Sequence, residues 1–429
     1  MVAKLGGGHR PPALSRLALA LSASLIVVAS AAACGSSTGG QGAAAATTTG
    51  CARGSVNGIT GTLAGKYTDP GYTLYVANAG NGTVTPVNLA DNRPEPGIRI
   101  PGVTSVVAAA ITPNGQKLYV ANNGGFTNAD VAQGTTVYPI DVTSRTVGQP
   151  IQAGLGPFAI AVTPDGQRAY VADMGSFDFS ALIAAAPAKI TPQLMANLVK
   201  VNDAQTLTPI DVASDQPGKA INVGPGPGAV AITPDGKYAF VADSGTPHHP
   251  QGYVARVDLA TGTTTGPLIR TGIGSMGVAI TPDGKWAYIA NTGWWNKAGD
   301  TISPIDLATL KVGAPIKVGT APLGIAITPD GKELVTANYG YGYPGGGTVT
   351  PVDLATGKAG KAIRVGPAPD AITIAPNGRV AFVAVGGLNN TVCSIVVPVD
   401  LTTGQAGPPI RVGPGPSAVV IGRTPTKKG

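Results

Sequence analysis

Glutamate is nearly absent from this sequence. Of 22 acidic residues only Glu95 and Glu333 are glutamate, and charged residues of all kinds make up 12% of the chain. Glutamate favours helices, whereas aspartate favours turns and caps, so a mainly helical fold is not expected. Histidine is also scarce. His9 lies near the N-terminus, and the other two, His248 and His249, are adjacent in the loop "SGTPHHPQG". Neighbours in sequence rarely ligate one metal together in a tight site. A solvated pair is the reading here, and no metal or cofactor is expected. Long hydrophobic runs are missing apart from one at the N-terminus. Abundant instead are 62 glycines and 38 prolines, with 43% hydrophobic residues. That composition suits strands and turns around a real core.

The N-terminal run is Leu17 to Ala33, "LALALSASLIVVASAAA", preceded by Lys4, Arg10 and Arg16. A positive region before an apolar stretch of this length reads as a signal peptide over 1–33 and is short for a membrane span. It ends in "AAAC", which resembles a bacterial lipobox with Cys34 as the lipidated residue. Ala31 stands where leucine is usual, and plain cleavage after a small-residue site is the alternative. Residues 34–55, including "GSSTGGQGAAAATTTG", read as a lipidated flexible tether. Removing the three N-terminal cations takes the formal net charge from +7 to +4, too small a bias to imply nucleic acid. Two cysteines then remain, Cys51 and Cys393. In an exported chain they form a disulfide candidate, with two unpaired thiols as the alternative.

From residue 56 to 429 the chain repeats itself. A strand recurs as "LYVAN" (Leu74), "LYVAN" (Leu118), "AYVAD" (Ala169), "AFVAD" (Ala239), "AYIAN" (Ala287), "LVTAN" (Leu334) and "AFVAV" (Ala381). Six copies follow a Pro-Asp-Gly or Pro-Asn-Gly turn, at Pro113, Pro164, Pro234, Pro282, Pro329 and Pro376. A third strand such as "TVTPVDL" and a fourth such as "GKAIRVG" complete each unit. Strand, Asp-Gly turn, strand is hairpin chemistry. Four strands in about 47 residues is the period of a propeller blade. The expected fold is all-β: a seven-bladed β-propeller of four-stranded antiparallel blades. The last unit ends on an inner strand, "GPGPSAVVIG", with no partner after it, and the first has a second strand but no inner one. The two ends should therefore complete one blade, which removes exposed edges.

The stretches "ITPDGKYAFVADSG" and "VTPDGQRAYVADMG" resemble the YVTN family of β-propeller repeats, over about Leu74 to Gly422. The resemblance implies the fold and an exported or surface location. It leaves the role open. The sequence departs from the family in its third strand, where "TPID" or "TPVD" replaces the usual pattern. Its proline points to a strand position whose N–H would make no ladder bond.

Insertions fall between the second and third strands, which places them on one face of the ring. One of them, at about 174–206, carries "TPQLMANLVK" with a threonine N-cap and proline at the first turn, the signature of a small helical insertion. The insertions hold 8 of the 21 aromatics. Among them Phe126, Trp294, Trp295, Tyr339, Tyr341 and Tyr343, with His248 and His249, form the candidate ligand-binding set. Exposed aromatics beside glycine suit stacking on sugars or apolar ligands; mutual packing that closes the loops is the alternative. "GIGSMG" around Ser275 is not a nucleophile elbow. The recurrent Asp141, Asp211, Asp258, Asp306, Asp353 and Asp400 end third strands and read as Asx turns. Asn78, Asn122, Asp173, Asp243, Asn291 and Asn338 end second strands, as turn caps or, alternatively, a cation ring. No catalytic residue is assigned. The leading expectation is a monomeric lipoprotein at the outer face of the cytoplasmic membrane, binding a protein, glycan or small molecule. A propeller lyase or lactonase and a purely structural surface component are the alternatives.

Overall fold

The computed structural model describes residues 71–124, 134–175, 205–245, 250–294, 297–340, 344–386 and 394–425. Among these the strands form seven antiparallel sheets, and none of the described residues is helical. The helical insertion expected near 174–206 falls almost wholly at 176–204, outside the described residues.

The repeated hairpin has one construction in blades 3 to 6. In blade 4, Pro227–Ile232 and Tyr238–Asp243 pair antiparallel. Between them Thr233 Oγ1 donates to Asp235 Oδ1 at 2.6 Å and accepts the Tyr238 N–H at 3.1 Å. Asp235 Oδ1 also takes the Lys237 N–H at 3.1 Å. Gly236 closes the turn at φ +71°, a conformation that costs glycine nothing. The same threonine–aspartate clasp recurs at Thr163/Asp165, Thr281/Asp283 and Thr328/Asp330. These bonds to the ionised form pull each of those aspartates below the usual carboxylate range.

The third-strand prolines sit where a donor is not needed for the hairpin. Pro139, Pro209, Pro304, Pro351 and Pro398 each turn a carbonyl to the outer strand, where the N–H of Gly148, Gly218, Gly313, Gly360 or Gly407 donates to it at 2.7–2.8 Å. A residue's N–H and C=O point to the same side of an antiparallel strand. The N–H that proline lacks would therefore also have faced outward. The outer strand is short and divided: in blade 3, Gln216–Pro217 and Ile221–Asn222 both pair with Thr206–Asp211. It is two short pieces in six blades, including blade 4, whose third strand has Arg256 in place of proline, and one piece, Ile316–Lys317, in blade 5, which keeps Pro304. The division is therefore not set by the proline.

Second strands are buried on both sides, because each sheet is sandwiched between its neighbours. Tyr119, Tyr170, Phe240 and Phe382 are among the largest fully buried side chains. Each packs on the following blade: Tyr119 against Val171 and Ile210, Tyr170 against Val241 and Val257, Phe240 against Ile289 and Ile305, and Phe382 against Leu74 and Val87. The last contact crosses the seam. There Pro416–Arg423 pairs with Tyr72–Asn78, with Leu74 opposite Ile421 and Ala77 opposite Ala418. The two ends of the repeat region complete one blade, as the unpaired repeat fragments require.

Candidate functional site

The ring has two faces. One carries the Pro-Asp-Gly turns and the turns after the third strands. The other, the loop face, carries the connections between second and third strands and the links from each outer strand to the next blade.

In six of the seven blades the second strand carries a polar side chain at the base of its loop on that face, and in blade 7 it carries Val385 there. Asn291 is 2% exposed. Its Nδ2 donates to Thr301 Oγ1 at 2.9 Å and Ser303 Oγ at 3.0 Å, and its Oδ1 accepts the Gly272 N–H at 3.0 Å. Asn78 makes the same pair of bonds to Thr83 and Thr85, and Asn338 to Thr348 and Thr350. One amide thereby ties the second strand to the third, and in blade 5 also to the incoming link. A glycine must stand on that link: a Cβ on Gly272 would lie 2.3 Å from the Asn291 side chain. These residues are caps that hold the loop bases. The aspartates ending the third strands are Asx turns: Asp258 Oδ1 accepts N–H groups from Ala260 and Thr261, and Asp306 Oδ1 those of Ala308 and Thr309.

Two blades put an acid in the anchoring position. Asp173 is fully buried. Its Oδ2 takes hydrogens from Thr206 at 3.0 Å and Thr208 at 2.6 Å, while its Oδ1 has no partner. Burial, partly offset by the threonine bonds, raises its pKa from 3.8 to about 7. Asp243 is starker. The two hydroxyl positions are filled by Tyr253 and Ala255, neither carboxylate oxygen has a partner, and burial drives its pKa well above the usual value. A third buried acid was not singled out from the sequence. Asp370, 7% exposed, is the second residue of the inner strand Pro369–Ile374, and burial lifts it to about 7. It is the one acid on the described inner strands. Its signal was an aspartate where the other blades place Ser417, Val107, Phe158, Gly228, Met276 and Leu323.

The candidate binding residues fall unevenly. Phe126, His248, His249, Trp295, Tyr341 and Tyr343 lie outside the described residues, as do Cys34, Cys51 and Cys393. Tyr339 is half-buried directly after Asn338, and its N–H donates to the Ala321 carbonyl at 2.9 Å. The "TGWWNKAGD" insertion extends the hairpin of blade 5: Trp286–Trp294 and Lys297–Asp306 stay paired out to Trp294 opposite Lys297, with a register shift between Asn291 and Gly293. Trp294 therefore stands at the far end of a two-stranded arm. Ser275 is buried on an inner strand, 2.7 Å from Thr271 Oγ1, and is placed as a structural residue.

No family model matches the chain, and no curated protein matches it. Solved structures do. Kuenenia stuttgartiensis hydrazine synthase superposes with a TM-score of 0.60 at 20% identity, over 80% of this chain and 99% of that one. A functionally unknown protein from Desulfotomaculum acetoxidans gives 0.60 at 14%, over 81% and 98%. The periplasmic gluconolactonase of Pseudomonas aeruginosa gives 0.58 at 19%, over 82% and 99%. Similarity at these identities is similarity of fold, which hosts unrelated functions: the chain is a seven-bladed propeller built like these proteins.

Proposed function

We propose that this chain is an exported, lipid-anchored binding module of the YVTN type, held through Cys34 at the outer face of the cytoplasmic membrane. In this reading the ring presents its loop face to a protein, glycan or small-molecule ligand. The observation that carries it is the contrast between loop and base. The insertions grow on one face only, and in five blades an Asn or Asp side chain ties the loop base to the third strand. A rigid scaffold with variable loops on one side is how binding faces are commonly built. The paired arm of blade 5 supports the same reading, because its strands stay paired out to Trp294 opposite Lys297, beyond the base held by Asn291. The test is the double variant Trp294→Ala with Trp295→Ala, probed on a glycan array and with a periplasmic or surface protein library. Loss of capture with an unchanged melting temperature supports the reading. A lowered melting temperature with capture intact assigns the pair to packing.

A second reading is hydrolysis of a lactone, and Asp370 favours it. A carboxyl on the strand nearest the axis with a pKa near 7 has the proton affinity of a general base at neutral pH, and one structural neighbour is a gluconolactonase by name. Incubation with glucono-δ-lactone, with and without Asp370→Asn, separates the readings. Turnover that the variant abolishes supports the enzyme, and no turnover above the spontaneous rate supports the module.

A further inference from the structure

On the turn face, opposite the loops, a cleft of about 610 Å³ opens between blades 4 and 5. That volume lies within the roughly 300–1,000 Å³ range of small-ligand sites. The cleft is where the repeat breaks its own pattern. Arg256 stands at the third-strand position that every other blade gives to proline: Pro86, Pro139, Pro209, Pro304, Pro351 and Pro398. Its partner on the outer strand changes with it. Thr265 occupies the place of the recurrent glycine, donates its N–H to the Arg256 carbonyl at 2.8 Å, and accepts the Arg256 Nε–H at 2.9 Å. The guanidinium lies 5.0 Å from the centroid of the Tyr238 ring, so its plane is fixed from two sides. Among the described residues its terminal nitrogens carry no hydrogen bond.

Across the cleft, Trp286 is 38% exposed, one of the few large hydrophobic side chains so open among the described residues. The same groove between blades 2 and 3 is closed. There Lys117, the equivalent of Tyr238, reaches Asp215 of the next blade at 2.9 Å, and Tyr119 donates to that carboxylate at 2.6 Å. Between blades 4 and 5 the equivalent residues are Tyr238, Phe240 and Leu310, which form no such clamp. Asp306 lines the cleft, its Oδ1 accepting the N–H groups of Ala308 and Thr309.

We propose that this cleft binds a neutral oligosaccharide, with a hexopyranose ring stacked on Trp286 and its hydroxyls bonded by Arg256 and Asp306. A pyranose has an apolar C–H face and a rim of hydroxyls that both donate and accept. An exposed indole matches the first. A guanidinium with spare donors and a carboxylate with a spare acceptor match the second. The charges balance, which suits a neutral ligand: Asp235 pairs with Lys237 at 3.4 Å and Asp283 with Lys285 at 3.2 Å, leaving one guanidinium, Arg256, and one carboxylate, Asp306. This site is on the opposite face from the aromatic loops and does not depend on them.

The test is isothermal titration calorimetry of the full chain with cellotriose, maltotriose and laminaritriose, and with trigalacturonate as the anionic control. At least one neutral trisaccharide is expected to bind, and Trp286→Ala to weaken it about tenfold or more. The double variant Arg256→Pro with Thr265→Gly gives blade 4 the residues of its neighbours. It should keep the circular dichroism spectrum and melting temperature of the native ring and lose the sugar. No heat from any neutral trisaccharide, preference for trigalacturonate, or binding that survives in both cleft variants would overturn the proposal.

Discussion

Replacing Asp173 with asparagine should stabilise the ring, and by an amount that grows with pH. The variant copies what blades 1, 5 and 6 already do at this position. An Nδ2 in place of Oδ2 would donate to Thr206 and Thr208, as Asn291 does to Thr301 and Ser303. No atom need move, and the buried charge is removed. The native carboxyl has a folded pKa of about 7 against 3.8 unfolded. For an acid raised on folding, stability is complete below the unfolded value and falls as pH rises towards the folded one. At about 1.4 kcal/mol per pH unit across that interval, the native protein loses roughly 4 kcal/mol between pH 4 and pH 7 that the variant keeps. A ring of roughly 350 residues with ~2 cal/mol/K of unfolding entropy per residue shifts about 1.4 °C per kcal/mol, so the melting temperatures should separate by about 5 °C at pH 8. Differential scanning calorimetry of both proteins at pH 4, 6 and 8 reads this directly. The difference between them cancels titrations common to both, including those of Asp243 and Asp370. A gap that is the same at pH 4 and pH 8, or a variant less stable at pH 8, would refute the account.

Asp243→Val copies Val385, which fills the same register position in blade 7. It removes two unpartnered buried oxygens and a carboxyl that burial holds well above its usual pKa, so it should raise the melting temperature at pH 8 more than at pH 4; equal shifts would show that burial does not raise this carboxyl's pKa. Deleting residues from 413 onward removes the inner strand of the closing blade, with the buried Val419 and the half-buried Val420 and Ile421 packed on its neighbours, at about 5 kcal/mol or more of stability. Because two edges are exposed at once, guanidinium unfolding should also become less cooperative, and an unchanged midpoint would argue against closure. Cys34→Ala should release the protein from a membrane pellet into the soluble fraction, because the signal hydrophobe is cut away and only a lipid would hold the chain. A variant that stays in the pellet would rule lipidation out.

The architecture was legible because it is written in local chemistry repeated seven times. Each Pro-Asp-Gly turn sets its own hairpin through a threonine and an aspartate within a few residues of it. The incomplete units at the two ends announced the closing blade before any contact was known. The proline at the third strand even marked a missing donor, but that this donor would have faced the outer strand depends on the register of the folded sheet. Tertiary structure alone decided the rest. Asp173, Asp243 and the equivalent asparagines look alike in sequence. They diverge because blade 3 sets Thr206 and Thr208 against its acid and blade 4 sets Tyr253 and Ala255. Asp370 carries no mark of burial in "GPAPD". The Trp286 cleft joins residues from strands some fifty positions apart, Tyr238 and Arg256 on one blade and Trp286 and Asp306 on the next. A hairpin is specified by neighbours along the chain, whereas a charge's solvation and a cleft's lining are specified by neighbours across it, and those exist only once the ring has closed.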